Sequence, residues 1–118
     1  RRREICDIFV SILNKYDDTF HIPNFDGNSS FCLPFILNNK NMKKDLQEYL
    51  EDSGIETRPL CSGNLLRQPF LKDYNLDIDN PKVDYLHFNG FFIGNNHLIT
   101  DNDIEKLKGI LDEYFAIL

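Results

Sequence analysis

The stretch Phe31-Cys32-Leu33-Pro34-Phe35-Ile36-Leu37 is a continuous apolar run between two polar segments. Such a run is too short for a buried helix, and its polar flanks favour a buried β-strand. Pro34 has no backbone N–H group, so we expect the strand to lie at a sheet edge or to contain a bulge. The sequence therefore predicts a sheet, and we expect elements in the flanking segments to cover its apolar face.

Three amphipathic segments around this strand can cover the sheet. Arg1 to Tyr16 carries apolar residues at three- and four-residue steps, which predicts a helix. Asn41 is expected to cap a second helix, with Gly54 as its left-handed C-terminal residue. Thr100 to Leu118 predicts a third long helix, opened by a capping box in which Asp replaces the preferred Glu.

Shorter elements complete the pattern. Ile55 to Leu60 alternates apolar and polar residues, and Phe91 to Gly94 is again apolar, so each predicts a strand. Pro81 is expected to open a short helix that Gly90 closes. Helices and strands therefore alternate along the chain, which indicates a single α+β domain spanning residues 1–118 with helices packed on a small sheet.

Cys61 to Asp79 shows no defensible periodicity. Irregular segments of this length in compact domains are typically functional, or they pack against something outside the fragment.

Composition excludes several classes of function. The chain has 118 residues with 13 basic and 19 acidic side chains, a net charge of −6, which allows one core and weighs against a general nucleic-acid binder. No apolar run is long enough to span a bilayer. Cys6, Cys32 and Cys61 form no C-x-x-C pair, so neither a disulfide framework nor a zinc site is indicated and a cytoplasmic location is expected. The absence of an initiator Met indicates a piece of a longer protein.

Most motifs that carry chemistry are missing. His21, His87 and His97 are far apart without metal-ligand spacing, and there is no glycine-rich phosphate loop. We therefore expect no metal site. Cys61 is followed by Ser62 and Gly63, which would suit a nucleophile at a strand end, but an inert thiol is the simpler interpretation.

The most informative segments are Gly54 to Pro59 and Gly63 to Phe70. Arg58 precedes a proline at the end of a predicted strand, and Asn64 and Arg67 add amide and guanidinium donors in the following loop. Donors of these types suit phosphate groups or sugar hydroxyls. The alternative is that Arg58 pairs with Glu56 or another local acid and that the loop is only a surface.

Together with Asp84-Tyr85-Leu86-His87 and Asn89 to Asn95, these segments resemble the C-terminal small domain of the DegT/DnrJ/EryC1/StrS family of pyridoxal-phosphate-dependent sugar aminotransferases. The resemblance covers nearly the whole chain. Within the family, the chain most resembles the branch of GDP-4-keto-6-deoxymannose 3-dehydratases and related CDP-sugar 3-dehydratases. It implies a small, mostly antiparallel three-stranded sheet packed by helices, as in other fold-type-I enzymes.

The resemblance implies a parent enzyme that modifies a nucleotide-linked 4-keto-6-deoxy sugar in lipopolysaccharide or O-antigen biosynthesis. Pyridoxal phosphate (PLP) would be held by a large N-terminal domain and by the other subunit of a homodimer. The catalytic residue would lie outside this sequence, because lysines such as Lys43 and Lys108 lie on exposed-looking helix faces and match no Schiff-base motif. We therefore expect the fragment alone to bind no PLP and to be inactive.

Substrate-binding candidates follow from the same resemblance, because the small domain closes over the substrate. They are Arg58, Asn64, Arg67, His87 and Asn95. The last two have structural alternatives, since His87 can pack against the sheet and Asn95 can hold a turn.

Two other functions stay open. The parent could be a sugar-nucleotide aminotransferase, with a lysine rather than a histidine at the Schiff-base position. Alternatively, the chain could be a freestanding α+β ligand-binding or dimerisation module. A severed domain should expose an apolar patch along the first helix and residues 61–79, whereas a freestanding module should not.

Overall fold

A computed structural model describes residues 1–25, 30–60 and 81–117. Helices and strands alternate within these ranges, as the sequence predicts. The elements, in chain order, are α1 (Arg2–Asn14), β1 (Cys32–Ile36), a 3₁₀ turn (Lys40–Met42), α2 (Lys43–Asp52), β2 (Arg58–Pro59), α3 (Pro81–Asn89), β3 (Gly90–Gly94) and α4 (Asp101–Ala116). None of the described helices is long and apolar enough to cross a membrane.

The three strands form an antiparallel sheet with the order β1-β3-β2. Pairing between β1 and β3 runs from Cys32 opposite Gly94 to Ile36 opposite Gly90 without an inserted residue. Pro34 therefore lies in an edge strand and not at a bulge, which confirms the first of the two predicted placements. The predicted α+β class with a small antiparallel sheet is confirmed.

The core lies on one face of the sheet, where α1, α2 and α4 place their apolar stripes. Phe35 and Phe91 are fully buried and stack at a centroid distance of 5.1 Å, and Phe9 of α1 meets Phe35 edge to face at 5.2 Å. Leu33 and Phe35 face this core, whereas the alternating residues of β1 are only half-buried. Replacing a buried Phe of this kind by Ala typically costs about 3–5 kcal/mol, so these aromatic contacts hold the sheet and helices together.

Two helix signals are confirmed and one is displaced. Thr100 and Asp103 form the predicted capping box, and Gly54 has a φ of 91°, the left-handed conformation that follows many helices. The predicted cap Asn41 is wrong, because the side chain of Asn39 accepts from the Asn41 backbone N–H at 3.0 Å. A 3₁₀ turn therefore precedes the helix, and α2 begins at Lys43.

Gly90 directly follows Asn89, the last residue of α3, so the helix ends where the sequence predicts. It does so without a left-handed conformation, since Gly54 is the only glycine with positive φ in the described part of the chain. Instead α3 continues directly into β3, and a Cβ on Gly90 would lie 2.4 Å from Leu60 Cδ1 and 2.9 Å from the Leu86 carbonyl oxygen. Glycine is required there by close packing. The strand predicted from Ile55 also proves shorter, since only Arg58 and Pro59 pair.

The predicted exposed patch along the first helix is wrong for the described residues. Apolar side chains of α1 are buried or half-buried. Large exposed apolar side chains lie elsewhere, on α3 and at isolated positions (Tyr85, Leu86, Phe88, Phe31, Leu98, Ile117). The part of that prediction that concerns residues 61–79 lies outside the described ranges.

Candidate functional site

The sheet face opposite the core carries the candidate site, and we call it the outer face. Pro34, Phe92 and Arg58 are directly opposed on the three strands, so their side chains form one row across this face. Phe92 is half-buried in the middle of the row, and Arg58 is exposed at one edge. The antiparallel register thus places a cation beside an aromatic ring.

Arg58 forms an ion pair with Glu56, which is the surface alternative that the sequence left open. The two side chains are 63% and 72% exposed. Ion pairs this exposed contribute about 0–1 kcal/mol, because water screens them and both side chains lose conformational freedom. The guanidinium can therefore exchange Glu56 for another anion at little cost. Pro59 follows directly and restricts the backbone at Arg58 to extended conformations.

Phe31 adds a second aromatic ring to the outer face. Its side chain is 61% exposed, and its ring meets that of Phe92 edge to face at a centroid distance of 6.1 Å. The Phe31 carbonyl accepts from the backbone N–H of Asn95 at 2.9 Å, which fixes the main chain at this position. From the sequence, Phe31 is assigned only to a strand. Its position next to the polar segment at the start of an apolar run is the one signal that could have indicated an exposed, functional ring.

Asn95 is 4% exposed and connects the end of β3 to other parts of the chain. Its Nδ2 donates to the carbonyl oxygens of Ser30 at 2.9 Å and Arg2 at 3.1 Å, and lies 3.4 Å from the Cys6 sulfur. Its Oδ1 is buried without a hydrogen-bond partner among the described atoms. These contacts give Asn95 a structural role that differs from the predicted turn, and its role in substrate binding stays a prediction.

His87 lies in the last turn of α3. Its ring is half-buried and packs edge to face on Phe88 at 4.9 Å, and its carbonyl oxygen accepts from Lys43 Nζ at 2.8 Å. Lys43 was expected on an exposed face, but it is half-buried, and burial lowers the pKa of its ammonium group. That amine therefore serves to connect α2 with α3. The predicted substrate contact of His87 is untested by this packing.

The three candidates among the described residues occupy different places on the sheet. His87 and Asn95 lie beyond opposite ends of the five-residue strand β3. Arg58 lies opposite Phe92, between them. Asn64, Arg67 and the possible nucleophile Cys61 lie outside the described residues. Within the described ranges, no three His, Cys, Asp or Glu side chains are grouped so as to hold a metal ion.

An apolar groove of about 440 Å³ opens on the core side of the sheet. Apolar side chains from α1, α4 and the sheet make up most of its walls, and Glu56, Asp103 and Lys106 are its charged residues. Lys106 is the only cation among the residues that line it.

No protein-family model matches the chain, but curated proteins and solved structures do. The chain is 32% identical to a GDP-4-keto-6-deoxy-D-mannose 3-dehydratase of Escherichia coli O55:H7 (strain CB9615 / EPEC) and 29% identical to one of Yersinia pseudotuberculosis. Each match covers 93% of this chain but only 30% and 29% of the relative. The chain thus spans less than a third of the length of these relatives.

Solved structures agree with these matches. The E. coli 3-dehydratase with bound hydrated PLP superposes with a TM-score of 0.76 at 25% identity, over 93% of this chain and 30% of that one. A structure of GDP-4-keto-6-deoxymannose-3-dehydratase with a trapped PLP-glutamate geminal diamine gives a TM-score of 0.74, also at 25% identity and with the same coverage. Sequence and fold therefore agree that the chain is similar to a C-terminal part of GDP-4-keto-6-deoxy-D-mannose 3-dehydratases.

Proposed function

We propose that the chain is the C-terminal domain of a PLP-dependent enzyme that removes the 3-hydroxyl group from a nucleotide-linked 4-keto-6-deoxy sugar. The observation that supports this most directly is 32% identity to a 3-dehydratase over 93% of the chain, with a TM-score of 0.76 to a solved relative. Removal of this hydroxyl would make a deoxy sugar for lipopolysaccharide or O-antigen. The wider DegT/DnrJ/EryC1/StrS family is part of the same proposal.

The chemistry is divided between this domain and the rest of the parent. When bound, PLP supplies an electron sink for bond cleavage next to the carbon that carries its amino group. Lys43 Nζ of this chain donates to a backbone carbonyl and is not assigned a role at the cofactor. In this proposal a large N-terminal domain holds the cofactor and the catalytic base. Arg58, Asn64, Arg67, His87 and Asn95 of this domain contact the sugar nucleotide.

The partners and location follow from that division. The main partner is the parent's own N-terminal domain, and the parent acts as a homodimer in the cytoplasm, where nucleotide sugars are its substrates. The net charge of −6 supports a protein that needs neither nucleic acid nor a membrane surface. Among the described residues of the row Pro34, Phe92 and Arg58, one exposed cation suits one phosphate-bearing ligand better than a polyanion.

The sugar-nucleotide aminotransferase of the same broad family is the alternative activity. Both curated relatives named above are 3-dehydratases, which favours loss of the hydroxyl over transfer of an amino group. A freestanding ligand-binding or dimerisation module is favoured less, because the match extends over nearly the whole chain but under a third of each relative.

A chimeric enzyme tests the proposal. Residues 1–118 would replace the matching C-terminal part of the E. coli relative, and the fusion would receive PLP, glutamate and GDP-4-keto-6-deoxy-D-mannose. We expect the cofactor absorbance band and a product that lacks the 3-hydroxyl by mass spectrometry. An amino sugar would favour the alternative activity. A fusion that folds but neither binds PLP nor converts the sugar would contradict the proposal.

Two controls are needed to interpret the activity of the chimera. The E. coli relative without its C-terminal part should be inactive, which shows that the supplied domain is needed. Residues 1–118 alone should give no cofactor absorbance band on titration with PLP. Tight stoichiometric binding by the isolated chain would contradict the proposed division of labour.

A further inference from the structure

The outer face carries an exposed aromatic ring and an exposed cation, and the fold of the sheet requires neither. An edge position usually carries polar residues, yet Phe31 exposes 61% of an aromatic side chain there. Arg58, 63% exposed, lies in the same row as Phe92, on which Phe31 packs. An exposed ring and an exposed cation thus flank a half-buried ring.

Phe31 is held so that its ring can receive a flat ligand. Its carbonyl oxygen is bonded to the backbone N–H of the buried residue Asn95, and its ring edge lies against Phe92. Because the main chain at Phe31 is fixed and its ring rests on Phe92, the side chain loses little conformational freedom when a second flat ring stacks on it. Nucleobases stack on aromatic side chains of this kind with substantial and sequence-tolerant affinity.

Arg58 supplies the other half of such a site. Directly opposed side chains in neighbouring antiparallel strands have Cβ atoms about 5 Å apart, so the base of the Arg58 side chain lies next to Phe92. A guanidinium group binds phosphate in the same bidentate geometry as it binds carboxylate. Its exposed ion pair with Glu56 is weak enough to be replaced by a diphosphate.

We infer that the outer face is a nucleoside diphosphate site, with Phe31 stacking on the nucleobase and Arg58 binding the diphosphate. This inference rests on the proposed function and assigns the nucleotide part of its substrate to described residues. Glu56 is then a competitor for Arg58 that bound nucleotide displaces. A polynucleotide is a poorer occupant, because the net charge is −6 and the row holds one cation.

Titrations followed by ¹H–¹⁵N NMR of the 118-residue chain test the inference, with GDP, guanosine and pyrophosphate as separate probes. We expect GDP to shift the amides of Phe31, Phe92 and Arg58 and to bind at least tenfold more tightly than either half. Shifts confined to other regions, or no saturable binding by GDP, would overturn the inference.

Substitutions separate the two halves of the site. Phe31→Ala should weaken GDP binding about tenfold and leave pyrophosphate binding unchanged, since only the stacking contact is lost. Arg58→Ala should weaken both ligands, whereas Glu56→Gln should strengthen both several-fold by removing the competing carboxylate. If Arg58→Ala weakens GDP binding but Glu56→Gln leaves it unchanged, Glu56 does not compete with the nucleotide for Arg58, and that part of the inference is wrong.

The chain offers matched controls for each change. Leu98 is 74% exposed and lies outside the row, so Leu98→Ala should leave GDP affinity unchanged. Lys44 forms an exposed pair with Glu48 on α2, so Lys44→Ala removes the same charge elsewhere and should change GDP affinity by less than twofold. Equal losses for Lys44→Ala and Arg58→Ala would show a general charge effect and overturn the site.

The outcome is distinguishable from failure of the proposed function. An active chimera whose KM for the GDP-sugar is unchanged by Phe31→Ala would overturn this inference and leave the proposed function standing. An inactive chimera with GDP shifts confined to the row would support the site and contradict the 3-dehydratase assignment. Concentration-dependent broadening of Phe31 and Phe92 without GDP shifts would identify a protein contact surface instead and overturn the inference.

Discussion

Gly90→Ala is the substitution whose cost the structure states most directly. The added Cβ would lie 2.4 Å from Leu60 Cδ1 and 2.9 Å from the Leu86 carbonyl oxygen. The leucine side chain can rotate, but the carbonyl belongs to the last full turn of α3 and cannot move without disturbing the junction with β3. Overpacking of this kind costs about 1–3 kcal/mol. Replacing glycine by alanine in a strand returns about 0.5–1 kcal/mol of that.

We therefore expect Gly90→Ala to lower the free energy of unfolding by about 1–2 kcal/mol, measured as a lower midpoint of urea denaturation followed by circular dichroism. Gly94→Ala is the matched control, because it lies in the same strand and a Cβ there meets nothing within 4 Å. Adding Leu60→Ala to Gly90→Ala should recover only part of the loss, since the Leu86 carbonyl remains. An unchanged midpoint for Gly90→Ala would refute the argument that packing requires this glycine.

Three further changes test other parts of the fold by the same denaturation assay. Gly109→Ala should raise the free energy of unfolding by about 0.5–1 kcal/mol, because this exposed position within α4 leaves the added Cβ free, and a loss would show that α4 packs differently there. Asn95→Ala should cost about 1–3 kcal/mol, since the Ser30 and Arg2 carbonyls lose their donor, and a cost below 0.5 kcal/mol would contradict the connecting role of Asn95. Thr100→Ala should cost about 1 kcal/mol of unfolding free energy, because the helix loses its N-cap side chain. The hydrogen bond from the Thr100 backbone N–H holds the pKa of Asp103 below its ordinary value. The stability that Asp103 contributes is therefore present at neutral pH and is lost as the pH falls through that lowered pKa. Asp103→Asn should reduce this acid dependence, and an unaltered pH profile would contradict the capping contribution.

The elements were predictable where a short local pattern decides the structure. The proline in β1, the capping box of Thr100 and the left-handed Gly54 each depend on a few neighbouring residues, and each lies as predicted. Asn41 was misjudged because a 3₁₀ turn shifted the cap to Asn39. Gly90 follows the end of α3 as predicted, but its packing constraint comes from Leu60, thirty residues earlier in the chain, and no local pattern reveals that contact.

The site was harder to predict than the fold, for a physical reason. The chemistry of Arg58 was readable from its residue type and its proline neighbour, but the place of Phe31 beside Phe92 follows from strand register. The seven-residue run reads as uniformly buried, whereas its first residue is largely exposed. From the sequence, the structural role suggested for Asn95 is to hold a turn. Its hydrogen bonds to Arg2 and Ser30 could not be predicted, because they connect segments far apart in sequence.

We propose that residues 1–118 serve a sugar-nucleotide 3-dehydratase, and the mass of the sugar nucleotide that the chimera releases is the direct test. We expect loss of the 3-hydroxyl oxygen from the GDP-sugar at a rate well above that of the relative lacking its C-terminal part. Unchanged substrate from a chimera that is folded and carries PLP would contradict it.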